Sequence, residues 1–291
     1  MKAWDASNKA LLMVSHKTLL HYDEPVVEAH SEIRKTPVDT GLQRVVTSKV
    51  EVSPSTTLRS YVDYFGSRVN YFNLLEPHSE LTIQADAIVE TTDAICCGPS
   101  YDLDQRIWTE RLSEYLHWSP AVPYLSEYQD ISHSVEMPLS ADDFVEALRA
   151  LGSTFASRFR YDATLTNVHD SPEALFRGGG GVCQDLAHAF IGVLRLASVP
   201  CRYVSGYVYD PEVDDEGDRV QGSGASHAWV QAWHPELGWV GIDPTNDKLV
   251  DWQYVRIAIG RDYTDVQPLR GTFLGSPKQS LEVHVSVNRI G

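Results

Sequence analysis

The stretch that most limits how this chain can fold is Gly178 to Pro200, in which four consecutive glycines lead to Cys183 and then to an unbroken helical pattern. Ala187, Phe190, Ile191, Leu194 and Ala197 recur at helical spacing, while Leu186, Ala189, Val193 and Leu196 make nearly the whole circumference apolar. A helix that is apolar on every side has to be covered on every side, so this one is central. Gly178 to Gly181 allow another chain segment to approach closely, and Pro200 ends the pattern. Cys183 stands where the helix begins, among unpaired backbone N–H groups and the positive end of the helix dipole, a setting that favours thiolate over thiol. It is a candidate nucleophile if a histidine and a carboxylate come within its reach.

The rest of the chain is arranged around that helix. From Leu11 to Ile95 short runs rich in Val, Tyr, Thr and Ile alternate with turn residues, among them Lys17 to Tyr22, Val45 to Val52, Leu58 to Asp63, Tyr71 to Leu74, Leu81 to Gln84 and Ala87 to Thr92. This spacing predicts an antiparallel β-sandwich over residues 1–98. Residues 99–139 read as a connection, with a helix over Asp104 to His117 and an irregular Pro-containing stretch after it. Ser140 opens a capping-box-like start for a helix carrying Phe144, Ala147, Leu148, Leu151 and Phe155 on one face. A short helix starts at Ser171-Pro172-Glu173. The fold class is α+β, with residues 140–291 forming a catalytic domain that ends in a strand over Leu281 to Ile290.

Composition removes several function classes. With 24 Lys and Arg against 40 Asp and Glu, the net charge of −16 argues against a nucleic-acid partner and against an anionic membrane surface. The longest apolar run is broken by Arg195, and the residues after Met1 do not read as a signal peptide, so a cytoplasmic setting is expected. The four cysteines, Cys96, Cys97, Cys183 and Cys201, have neither metal-ligand nor disulfide spacing, and no cofactor or metal is expected. Six acids between Asp210 and Ala225 do not match a calcium-loop spacing and read as a solvated loop.

The partners for Cys183 lie in the next hairpin. Cys201 to Tyr209 reads as a strand, followed by Ser226 to Trp233 and Trp239 to Asp243, with a Pro- and Gly-containing turn between the last two. If Trp233 pairs with Trp239, alternation puts His227 and Asp243 on one face in diagonal positions within side-chain reach. A histidine can accept the thiol proton, and an aspartate on its other nitrogen fixes the tautomer and stabilises the imidazolium.

Gly181-Val182-Cys183-Gln184-Asp185 opening a helix, Ser226-His227-Ala228-Trp229 on a strand, and Gly238-Trp239 through Asp243-Pro244-Thr245-Asn246 on the next resemble the bacterial transglutaminase-like family. Pro200 to Tyr207, the N-terminal segments Tyr61 to Gly66 and Glu76 to Leu81, and Gly260 to Val266 are similar to that family too. The resemblance implies a papain-like core with Cys183 as nucleophile, His227 as general base and then acid, and Asp243 as the orienting carboxylate. Gln184, Ser226 and Trp229 are candidate substrate contacts, with a helix-start role for Gln184 and aromatic packing for Trp229 as the plain alternatives. The implied reaction is hydrolysis or acyl transfer on a peptide, protein or small-molecule amide. The rival is a catalytically silent peptide-binding or scaffolding module on the same fold.

Overall fold

The computed structural model describes residues 9–94, 96, 112–132, 140–162, 164–165, 172–211, 224–275 and 277–291. The N-terminal part supplies strands β1 (Lys9–Thr36), β2 (Gln43–Ser53), β3 (Arg59–Val62), β4 (Arg68–Leu74) and β5 (His78–Thr92). A single 3-10 turn at Glu114–Leu116 and the short helix α1 (Glu127–Ser132) lead to α2 (Ala141–Arg158), β6 (Arg160–Tyr161), α3 (Pro172–Gly178), β7 (Gly180–Gly181) and the central helix α4 (Cys183–Leu196). Strands β8 (Cys201–Val208), β9 (His227–His234), β10 (Gly238–Asp243), β11 (Lys248–Leu249) and β12 (Tyr254–Gly260) follow, then α5 (Tyr263–Val266), β13 (Leu269–Leu274) and β14 (Gln279–Arg289).

The N-terminal strands form a curled seven-stranded antiparallel sheet in the order β2-β5-β1-β4-β3, with β13 and β14 also on β1. β1 is 28 residues long and takes part in both halves of this curl. Its first half pairs with β5 and β14, its second half with β4 and β13. The sequence pattern divides this strand because polar His16 and Thr18 occupy inward positions where the alternation calls for apolar residues. Pro25 and the positive φ of Glu28 mark the bend between the halves, and the pairing shifts on either side of it. Buried side chains fall on even numbers up to Tyr22 and on odd numbers from Ala29 to Lys35, so the bend keeps the same side of the strand inward around the curl.

Which sheet the closing strand joins is not readable from its alternation, and the structure puts it on the N-terminal sheet. β13 and β14 pair with β1, because β1 has an open edge along each half and the two last strands supply the missing hydrogen-bond partners. The expected helix over Asp104 to His117 is described only from Leu112: Leu112 and Ser113 are helical and the 3-10 turn at Glu114–Leu116 continues them; its earlier part, the Gly98-Pro99 boundary, Cys97 and most of the loop from Asp210 to Ala225 lie outside the described residues.

The second sheet has the order β11-β10-β9-β8-β12, and α4 lies against β8 and β9. α4 is buried from Gln184 to Arg195, as its all-round apolar pattern requires. One continuous core joins the two sheets: Leu12, Val14 and Val89 of the curled sheet share it with Phe155 of α2, Phe190 of α4 and Val230 of β9. Gln43 ties the parts together in strand-like fashion, donating from Nε2 to the Arg256 carbonyl and accepting from the Arg256 N–H, each at 2.8 Å. Thr91 Oγ1 adds a bond to the Trp252 carbonyl at 2.6 Å.

Candidate active site

The approach to Cys183 is built from glycines for steric reasons. β6 and β7 form a two-residue parallel pair, Arg160 opposite Gly180 and Tyr161 opposite Gly181. A Cβ on Gly180 would stand 2.6 Å from the Arg160 carbonyl oxygen, and one on Gly181 would stand 2.6 Å from Asp185 Oδ2, while Gly179 has a φ of +68°. The tight passage delivers the chain to Val182, whose N–H is held by Asp185 Oδ2 at 2.9 Å, and α4 begins at Cys183. Asp185 is thereby fixed at the helix start. His188 Nε2 accepts from the Tyr263 N–H at 3.1 Å, so the two side chains, three residues apart on α4, serve separate structural bonds.

β9 and β10 pair in the register expected, Trp239 opposite Trp233 and Ile242 opposite Val230. That register carries His227 and Asp243 to the same end of the hairpin on one face. His227 Nε2 lies 2.7 Å from Asp243 Oδ2, with neither side chain exposed. Asp243 is saturated: Oδ2 also accepts from Asn246 Nδ2 and Tyr254 Oη, each at 2.7 Å, and Oδ1 accepts from the N–H groups of Thr245 at 2.9 Å and Asn246 at 3.3 Å. Burial raises the carboxyl pKa, but the attraction of His227 and these hydrogen bonds outweigh it, and the group stays ionised with a lowered pKa.

The other ring nitrogen of His227, Nδ1, is fully buried and has no regular hydrogen-bond partner. The group acting on it is Cys183, whose contact and charge raise the imidazole pKa along with Asp243, against the opposing effect of burial. A contact somewhat longer than a regular hydrogen bond is common between catalytic groups before substrate arrives. The structure thus brings Cys183, His227 and Asp243 together in one site.

The remaining candidates separate. Ser226 is half-buried and borders a cleft of about 470 Å³. Gln184 is buried on the first turn of α4 beside Cys183. Trp229, expected as a substrate contact, is 1 % exposed and stacks on the His227 ring at 6.3 Å while meeting Tyr254 edge-on at 5.2 Å. It packs behind the imidazole, because β9 alternation sends it into the small core with Val204, Val208 and Tyr254.

Sequence reasoning missed the groups around the sulfur. Tyr161, Tyr203 and Tyr263 each have a phenol pKa raised by burial and then by the Cys183 charge, which puts all three in its immediate surroundings. They come from β6, β8 and α5, so only the tertiary fold assembles them. Tyr254, a further donor to Asp243, comes from β12 and was missed for the same reason, whereas Asn246, the other, stands three residues after Asp243 in the motif already quoted. Cys201, with its side chain fully enclosed, has its thiol pushed up to about 12 by burial and bonds the Ile191 carbonyl at 3.5 Å.

Comparison with known proteins agrees with this architecture. Residues 131–244 match the family model described as Transglutaminase-like superfamily, and residues 12–90 match the Bacterial transglutaminase-like N-terminal region. An uncharacterized Mycobacterium leprae protein is 34% identical over 287 residues, covering 96% of this chain and 99% of that protein. A Pseudomonas aeruginosa protein-glutamine gamma-glutamyltransferase is 40% identical over 146 residues, which are 49% of this chain and 21% of that protein. The crystal structure of a Cytophaga hutchinsonii candidate cysteine protease superposes with a TM-score of 0.73 at 20% identity, covering 98% of this chain and 92% of that one, and shows a common fold. The chain belongs to the transglutaminase-like superfamily, with the bacterial N-terminal region of that group fused ahead of the core.

Proposed function

We propose that the protein is a cysteine-dependent amide hydrolase or acyltransferase acting through a thioester on Cys183. The observation that carries this reading is the buried alignment of Asp243 with His227, leaving His227 Nδ1 to the sulfur of Cys183. His227 holds the proton taken from the thiol. The sulfur attacks the amide carbonyl carbon, the tetrahedral oxyanion forms, and the C–N bond breaks as the imidazolium delivers its proton to the departing amine. Water, or a second amine, then attacks the thioester; His227 takes its proton, the C–S bond breaks, and the thiolate is restored.

The Cys183 N–H at the start of α4 is suited to hold the oxyanion, since the first N–H groups of a helix have no partner within it. Peptides, proteins and small amides are the substrate classes this chemistry serves. A cytoplasmic setting, in which thiols stay reduced, suits the free Cys96, Cys183 and Cys201. The test is amine release from glutamine-donor and peptide amides by the full chain. Activity lost in Cys183→Ala and His227→Ala variants that remain folded supports the reading; a wild-type chain inert toward every amide class supports a silent binding module instead.

A further inference from the structure

The cleft bordered by Ser226 continues away from Cys183 into the curl of the N-terminal sheet, and on its core side it holds a buried amine that no carboxylate of the described residues meets. Lys35 is 4 % exposed and lines the cleft beside His16 and Thr18. Its ammonium donates to His16 Nε2 at 2.6 Å and to Thr18 Oγ1 at 2.8 Å. Because Nε2 accepts, the His16 proton sits on Nδ1, which faces Tyr207 Oη at 2.7 Å. Both acceptors are neutral: burial and the neighbouring Lys35 hold the His16 pKa down to about 3. An ammonium has three donors, so one remains, and no carboxylate of the described residues lies within 4.0 Å of it.

Burying an unpaired charge is costly, and chains retain one where something outside the fold completes it. In a chain of net charge −16 with carboxylates to spare, an ammonium without one is a specific arrangement. The bend at Glu28 makes it: by shifting the inward side chains from even to odd numbers, it turns Lys35 of the second half of β1 toward His16 of the first. Beyond Lys35, on the side away from the core, the walls are apolar, formed by Leu20, Tyr22, Leu81 and Phe273. On the core side of Lys35 stand Ser226, which precedes His227, and Tyr263, whose hydroxyl senses the Cys183 charge.

We propose that this cleft is the specificity pocket for an amide substrate carrying a carboxylate, with Lys35 binding the carboxylate and the spacer of the substrate running past Ser226 and Tyr263 to bring the amide to Cys183. Recognition of a carboxylate stands on the cleft alone; the word substrate rests on the amidase reading above. The pocket therefore spans the N-terminal sheet and the core, and gives the fused β region a part in choosing what reaches the sulfur.

The experiment uses the full chain carrying Cys183→Ala and a matched pair of probes, octanedioic acid monoamide and octanediamide, titrated by calorimetry. The expected result is at least tenfold tighter binding of the acid, with that preference abolished by Lys35→Met. A second measurement needs no change at Lys35: the Nζ nitrogen resonance of Lys35 shifts on addition of the acid and stays in place with the diamide. Equal affinity for the two probes, a preference that survives Lys35→Met, or no binding of the acid at millimolar concentration overturns the proposal. Failure of the amidase reading is distinguishable, because a chain that binds the acid selectively yet releases no amine from any amide with Cys183 intact keeps the pocket and loses the chemistry.

Discussion

His227 Nε2 and Asp243 Oδ2 stand 2.7 Å apart in a site from which water is excluded on both sides, so each charge depends on the other. Removing one partner of a buried pair costs about 3–5 kcal/mol, since the survivor is left charged and unsolvated. Asp243→Ala is therefore expected to lower the thermal midpoint by several degrees, read by circular dichroism.

Asp243→Asn keeps a hydrogen-bonding side chain but removes the carboxylate, the larger of the two influences that raise the His227 pKa, leaving burial, the largest influence of all, opposed only by Cys183. In the wild type the imidazolium persists through neutral pH; in the variant the His227 ring should titrate at clearly lower pH than in the wild type. Proton NMR of the ring Cε1–H over pH 5 to 9 distinguishes the two, and identical titrations would detach Asp243 from any electrostatic role.

Alkylation of the native chain should divide the cysteines by environment. Cys183 is half-buried beside His227, whereas Cys201 is 0 % exposed with its thiol pushed up to about 12. Iodoacetamide at neutral pH is expected to modify Cys183 and leave Cys201 intact until the protein is unfolded, read by peptide mass mapping. His227→Ala should slow modification of Cys183, because no neighbouring base then accepts the thiol proton. A rate unchanged by that substitution would show that His227 does not activate the sulfur.

Much of this site could be read directly from residue order. The all-round apolar pattern from Leu186 to Leu196 requires a central helix, and the β9–β10 register follows from Trp233, Pro235 and Gly238, whose φ of +72° a turn of this kind needs. His227 and Asp243 are set by local geometry, which is why they were legible. Tyr161, Tyr203, Tyr263 and Tyr254 come from four separate elements, and no local period encodes their convergence. The N-terminal sheet was harder still: β1 carries polar His16 and Thr18 facing inward to meet Lys35, so the alternation that marks a half-buried strand fails where the buried polar cluster lies. Trp229 was open between substrate contact and packing for the opposite reason. Its position next to the SHA segment is evident, but which side of the sheet holds a core depends on Val204, Val208 and Tyr254.

Gly206 shows how closely the sheet is fitted behind the imidazole. A Cβ there would stand 2.1 Å from the Val255 carbonyl oxygen and 2.5 Å from Trp229 Cη2, and Trp229 is the ring stacked on His227. Gly206→Ala must part β8 from β12 or displace the indole, and overpacking of this kind costs about 1–3 kcal/mol. The expected outcome is a lower urea midpoint together with slower alkylation of Cys183. Gly224→Ala, where nothing lies within 4 Å of the added carbon, serves as the control and should change neither.

Lys35 gives the fold a pH dependence of definite sign. Burial lowers its pKa from 10.5 to about 7, so between those values the unfolded chain holds a proton that the folded chain has released. Stability then rises with pH across that window, and the cost of the buried ammonium is at full strength below it. Of the groups around Lys35, His16 is held near 3, while Tyr22, Tyr207 and Tyr263 are all raised, so none of them titrates between pH 7 and 9. Each pH unit of the window corresponds to at most about 1.4 kcal/mol. Thermal midpoints of the wild type should accordingly climb from pH 7 to 9 relative to those of Lys35→Met, which has no proton to lose at this position. The variant starts ahead at pH 7 if the ammonium is the dominant cost, and its lead narrows as the solution becomes more alkaline. Parallel curves for the two proteins would mean that Lys35 keeps its ordinary basicity when buried, and that a counter-charge within the folded chain already neutralises it.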